Sequence, residues 1–163
     1  MAEADTRGTG PGTSATPPEE EHWFLDLDGC LVDSLTGTSV RPGARELLEH
    51  LAGSGRHVLL WSATGADHAR ERAEQFGVDG HVRKYFSKHG RDGLGCYRTE
   101  HLPGGDQRVF VDDRPEDLRS SHEVVAVSPY LSEDPHDRGL DVVARRAGRS
   151  TAPTGRARAE RVL

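Results

Sequence analysis

The chain has 163 residues, a net charge of -6 and 34% hydrophobic residues, with a mean hydropathy of -0.68. This suits one domain with spare length for tails and argues against bulk nucleic-acid binding, which carries a basic footprint. No apolar run approaches the roughly 18 residues needed to cross a bilayer, and the two cysteines, Cys30 and Cys96, read as free thiols of a reducing compartment rather than a disulfide framework.

Residues 1–21 are rich in Gly, Thr, Pro and Ala and end in Glu19-Glu20-Glu21. Composition predicts a disordered tail. No apolar h-region is present, so no signal peptide and a cytoplasmic location are expected. His22 to Leu27 reads as the first strand. Its end, Asp26-Leu27-Asp28-Gly29, sets two carboxylates two residues apart, on one face if the strand continues. Gly29 then permits a sharp turn. Such a pair can bind a divalent cation, with one carboxylate attacking an electrophile while the other moves protons. The plainer alternative is an acidic turn.

Gly29 to Val40 is a loop or small hairpin, with Asp33 and Ser34 as turn residues and Cys30 as a small buried residue. Arg41-Pro42-Gly43 opens a helix with Pro42 in its first turn, carried by Ala44, Leu47, Leu48 and Leu51 and ended by Gly53-Ser54-Gly55. His57 to Trp61 is continuously apolar, as in a strand buried on both faces, and closes on Ser62. A helix is predicted over Asp67 to Phe76, with Gly77 at its C-cap. Val82 to Phe86 is a short strand or part of a loop. A short helix is possible over Gly95 to His101, before a turn at Pro103-Gly104-Gly105. Arg108 to Val111 is a strand running into Asp112-Asp113, followed by a helix over Glu116 to Ser120. Val124 to Val127 is a last strand, and Asp137 to Arg146 a last helix. The residues from 148 to 163 form a second, basic tail predicted to be disordered.

Strands alternating with helices predict an α/β fold with a parallel sheet and helices on both faces. Three apolar strands end in polar groups: Asp26 and Asp28, Ser62, and Asp112 with Asp113. In open parallel sheets ligands bind outside the carboxyl ends of the strands, so the three ends are expected in one crevice. Ser62 could equally cap a helix, and Asp112 and Asp113 could cap the helix at Glu116. His81, His89, Cys96 and His101 fit no compact zinc-ligand spacing.

These stretches resemble the haloacid dehalogenase-like superfamily. Phe24-Leu25-Asp26-Leu27-Asp28-Gly29 resembles its first motif, Leu59-Leu60-Trp61-Ser62 its second, Lys88 its third and Val109-Phe110-Val111-Asp112-Asp113 its fourth. The resemblance spans roughly residues 22–145. It implies a Rossmann-like three-layer sandwich with a mostly parallel central sheet over 22–147 and a minimal cap or none, for want of room between Ser34 and Arg41 or between Phe76 and Asp112. It further implies a Mg2+-dependent phosphatase. Asp26 would be the nucleophile, Asp28 the general acid and base, Ser62 a hydrogen-bond donor to the phosphoryl group and Lys88 its neutralising cation. Mg2+ would be held by Asp26, the Asp28 carbonyl, and Asp113 or Asp112. Lys84 is the alternative lysine. A branch acting on the RNA polymerase tail carries its lysine nearer that position. A capless site implies a large phosphorylated substrate or closure by another subunit, with no role for membranes. A dehalogenase needs neither Asp28 nor a metal pair and is disfavoured. A non-catalytic phosphate- or metal-binding module with the same fold is the other reading.

Overall fold

A computed structural model describes residues 20–148, and the predicted tails, 1–21 and 148–163, lie outside the described residues apart from Glu20, Glu21 and Gly148. In chain order it contains β1 (His22–Asp26), α1 (Ala44–Gly53), β2 (His57–Ser62), α2 (Ala66–Gln75), β3 (Lys84–Ser87), β4 (Arg108–Asp112), β5 (Glu123–Ala126) and α3 (Asp141–Arg146). All the strand pairings are parallel, and the sheet order is β3-β2-β1-β4-β5. The three central strands β1, β2 and β4 are the near-continuous apolar runs of the sequence, and they are buried on both faces. The edge strands β3 and β5 are only half-buried.

The period of two sorts each central strand onto two faces. Trp23, Leu25, Val58, Leu60, Val109 and Val111 point to one core, which also takes in Leu47, Leu48 and Leu51 of α1, Ala69 and Ala73 of α2, and Val143 of α3. Phe24, Leu59, Trp61 and Phe110 point to the other face. The expectation of helices on both faces is corrected here. The second face is covered by irregular chain, through Leu102, Leu118 and the half-buried Tyr97. The sequence allowed a short helix over 95–101, and the structure has none there: Arg91 pairs with Tyr97 in an antiparallel bridge, and Asp92 Oδ1 accepts the backbone N–H groups of Leu94 and Cys96. The helix expected over 116–120 is a single 3-10 turn, Pro115–Asp117.

Local chemistry sets the helix ends. Pro42 falls in the turn before α1, because Gly43 occupies the N-cap with φ 86°. After α2, Gly77 takes φ 67°, and the N–H groups of Gly77 and Val78 close on the carbonyls of Glu74 and Ala73, a glycine-ended C-cap. The last helix starts at Asp141 rather than Asp137, because Asp137 is engaged elsewhere.

That engagement ties the chain after β5 to the loop after β1. Arg41 is 1% exposed. Its guanidinium makes a two-pronged pair with Asp137 at 2.6 and 3.1 Å, and it donates to the Cys30 carbonyl at 3.2 Å and the Ser128 hydroxyl at 3.1 Å. A Cβ added at Gly139 would lie 1.8 Å from Arg41 Nη2, so the residue opposite must be glycine. The backbone N–H of Tyr130 donates to the Gly29 carbonyl at 2.8 Å, and those of Ser34 and Leu35 donate to the carbonyls of Tyr130 and Leu131. The chain around residues 128–139 is therefore a strap across the loop that follows Asp28.

Glu20 and Glu21, grouped with the tail by composition, lie among the described residues. Glu21 accepts from Trp23 Nε1 at 3.0 Å, Arg56 at 2.9 Å and Arg146 at 2.8 Å. Burial pushes its carboxyl up, but these partners outweigh burial and hold it at about 2, against an ordinary 4.5. The resulting stabilisation is complete above pH 4.5 and disappears as pH falls toward 2. Glu21→Gln should cost about 2 kcal/mol at pH 7, and urea denaturation should show that gap closing as pH approaches 2. Arg41→Met leaves Asp137 unpaired beneath the strap, and the same measurement should show a loss of about 3 kcal/mol.

Candidate active site

β1 is the centre of the site because the chain leaves its two sides in opposite directions. β2 lies on one side, with Asp26 opposite Trp61, and β4 on the other, with Leu25 opposite Val111. The next residues along, Ser62 and Asp112, thus flank Asp26 at the carboxyl ends of the strands. This is the switch point at which open parallel sheets bind ligands.

Lys88, the first residue after β3, is anchored by its own backbone N–H, which donates to the Ser62 carbonyl at 2.8 Å. Its side chain reaches across β2, and Nζ lies 2.9 Å from Asp26 Oδ1 and 2.7 Å from Asp112 Oδ2. The rings of Trp61 and Tyr97 lie 4.8 and 5.4 Å from Nζ, where their π-faces favour a cation. Lys84 sits exposed on the edge strand, with Nζ 5.2 Å from the Phe86 ring. The structure thus puts Lys88, and not Lys84, among the carboxylates.

Asp26, Asp112 and Asp113 each offer an oxygen, and the three oxygens lie within 4.8 Å of one another. Asp26 and Asp112 are buried, and Asp113 is partly exposed. Burial pushes the Asp26 carboxyl up, Lys88 opposes it, and Asp112 and Asp113 push it up again; the net position is well above the usual carboxylate range. Asp112 is raised in the same way, chiefly by burial, with Lys88 and the Arg114 N–H only partly offsetting it. Lys88 is raised, since the two carboxylates outweigh the burial that would lower it. One ammonium cannot balance three clustered carboxylates.

That imbalance is the test of fit for a divalent cation, and the residues pass it. The donors are all hard oxygens, as Mg2+ prefers. Gly29 makes room for Asp113. It holds φ +79°, and an added Cβ would stand 2.8 Å from Asp113 Oδ2. Asp112 is committed to Lys88 and to the Arg114 N–H at 2.9 Å, which leaves Asp113 the better placed of the pair to face an ion. Among the described residues this is the one such group. His89 and His101 stack with ring centres 5.0 Å apart, but His81, His89, Cys96 and His101 do not gather into a metal cluster.

Ser62 is 1% exposed, and its hydroxyl oxygen accepts the Thr64 N–H at 3.1 Å, so its hydrogen remains available to donate. Cys30 is buried, with its thiol directed at the Val111 carbonyl, and burial beside Asp26 and the Asp112–Asp113 pair raises it well above the usual thiol range. Asp33 organises the loop: its carboxylate accepts the backbone N–H groups of Thr36, Gly37, Thr38 and Ser39. Burial would raise it, but hydrogen bonds from Thr36, Ser39 and Gly37 hold it well below the carboxylate range. Asp28 stands apart from the lysine and meets a residue the sequence did not point to, His68, at 3.1 Å. Ser87 was missed as well: its hydroxyl accepts the Ala66 N–H at 2.8 Å and caps α2. No local pattern marks either contact, because the partners lie 40 and 21 residues apart.

The four stretches that carry the family resemblance meet in one crevice around Asp26. The fold is an α/β one, an all-parallel five-stranded sheet with this crevice at the carboxyl ends of its central strands. No family model matches the sequence, and no curated protein matches it. Among solved structures, the chain is similar to the core domain of a candidate phosphoglycolate phosphatase from Streptococcus pneumoniae TIGR4, at 16% identity and a TM-score of 0.49, covering 80% of this chain and 97% of that one. It is also similar to a hypothetical protein from Xanthomonas campestris, at 18% identity and a TM-score of 0.44, covering 87% of this chain and 94% of that one.

Titration calorimetry should detect Mg2+ binding to the wild-type protein. Asp113→Asn and Gly29→Ala, which remove a ligand and crowd it respectively, should each weaken binding at least about tenfold.

Proposed function

We propose that the protein is a Mg2+-dependent phosphomonoester hydrolase acting through a covalent aspartyl-phosphate on Asp26. The observation that carries this reading is the group of buried Asp26, Lys88 and Asp112 with the partly exposed Asp113, Nζ of the lysine lying 2.9 Å from Asp26. Such a group gives a carboxylate nucleophile a fixed cation on one side and hard oxygen donors on the other.

Asp26, Asp113 and the Asp28 carbonyl would hold Mg2+, and the bound ion supplies charge neutralisation between an anionic nucleophile and an anionic phosphoryl group. An Asp26 oxygen attacks phosphorus, a new P–O bond forms, and the bond to the ester oxygen breaks in line with it. The Asp28 carboxylic acid gives its proton to the departing oxygen. Asp28, now ionised, then takes a proton from a water that attacks the same phosphorus, which releases inorganic phosphate and restores Asp26 and Asp28. Lys88 neutralises phosphoryl oxygens while remaining paired with Asp112, and the Ser62 hydroxyl donates to one of them.

The loop between β1 and α1 carries no helix, and Asp28 is about a third exposed. Access of this kind suits a phosphoryl group presented on a bulky carrier as well as one on a small molecule.

Hydrolysis of p-nitrophenyl phosphate should require Mg2+ and stop with EDTA. Asp26→Asn should reduce kcat by at least about a thousandfold, while a folded, Mg2+-bound protein with no turnover would mark a binding module. Metal-independent turnover, or full activity in the Asn variant, would overturn the mechanism.

A further inference from the structure

Asp28 differs from the other site carboxylates in having no contact with the lysine and no place in the three-oxygen cluster. Its side chain is 35% exposed, and its carboxylate lies against the imidazole of His68, with Nε2 at 3.1 Å from Oδ2 and 3.4 Å from Oδ1. A carboxylate this exposed can occupy several rotamers. Proton transfer to a leaving oxygen needs one of them, within hydrogen-bond reach of that oxygen.

His68 is well built to select it. It is the third residue of α2, and the start of that helix is fixed from two sides of the site. Gly65 N–H donates to the Ser62 carbonyl at 3.2 Å, and the Ser87 hydroxyl takes the Ala66 N–H at 2.8 Å. The next residue, Ala69, is fully buried in the helical core. The imidazole is therefore delivered from a helix start that follows the Ser62 turn and is capped by Ser87, the residue preceding Lys88. A helix N-terminus favours anions nearby, and the carboxylate His68 meets there is that of Asp28. With its hydrogen on Nε2, the imidazole can donate to the Asp28 oxygen facing it and leave the other oxygen to carry the proton bound for the leaving group.

We propose that His68 is a positioning residue that fixes the Asp28 carboxylate for proton transfer to the leaving oxygen. The proposal rests on the phosphatase reading above. It separates from that reading because the need for the proton depends on the leaving group: p-nitrophenolate departs readily without one, and an alkoxide does not.

The test measures kcat/KM, which reports the steps up to loss of the leaving group, for p-nitrophenyl phosphate and ethyl phosphate. His68→Ala should shift the ratio of the two at least about tenfold against ethyl phosphate. His68→Gln, whose amide nitrogen falls near the position of Nε2, should restore most of it. In an Asp28→Asn background, His68→Ala should produce no further shift. Thermal unfolding checks that each variant is folded. Equal losses on both substrates in a folded Ala variant, no rescue by Gln, or an undiminished shift in the Asn background would overturn the positioning role alone. Absence of wild-type turnover, or full activity of Asp26→Asn, would overturn the phosphatase reading and the proposal with it. If neither His68 variant folds, Asp28→Asn alone should show the same selective loss, and an unselective one counts against the proposal.

Discussion

The structure turns on the ammonium of Lys88 set between Asp26 and Asp112. Two carboxylates are brought side by side by the pairing of β1 with β4, at a depth where charge is costly. A single cation arriving from the far side of β2 makes that arrangement tolerable. The rest of the site follows from this pairing. Asp112 is spent on the lysine, Asp113 is turned toward Gly29, and the cluster still carries more negative charge than Lys88 can offset. Under the proposed function a cation from solution would complete the balance, and affinity for metal and attack on an electrophile would share one electrostatic origin.

The sequence made much of this legible. β1, β2 and β4 read as strands because each is an apolar run long enough to be buried on both faces, and their ends read as a site because three runs stop on Asp or Ser. Those features are local. Lys88 against Lys84 could not be decided locally, since the two lie four residues apart in a stretch with weak pattern. The edge position of β3 decides it, exposing the residue at its start and directing the chain beyond its end into the crevice. Asp112 and Asp113 are also indistinguishable as letters, and only the path of the backbone past Gly29 gives them different neighbours.

The contacts that escaped notice have a common cause. Arg41 with Asp137, His68 with Asp28, and Ser87 with Ala66 join segments 96, 40 and 21 residues apart. Each residue alone looks like an ordinary solvent-facing side chain. The irregular chain over the second face was also misjudged, because the helical reading of 95–101 ignored three glycines nearby, at 90, 93 and 95, and an Asp able to collect backbone N–H groups.

The uneven covering of the sheet has its own consequence. On one side, three helices interlock with the strands. On the other, Phe24, Trp61 and Phe110 lie beneath irregular chain pinned by Arg91 to Asp117, Arg119 to Asp92, and Arg108 to the carbonyls of Thr99, Leu102 and Pro103. Exposed ion pairs of this kind contribute little each, so this side is the natural place for sub-global opening. Tyr97 of that cover lies 5.4 Å from Lys88 Nζ. Opening of that cover would take one aromatic wall away from the ammonium paired with Asp26.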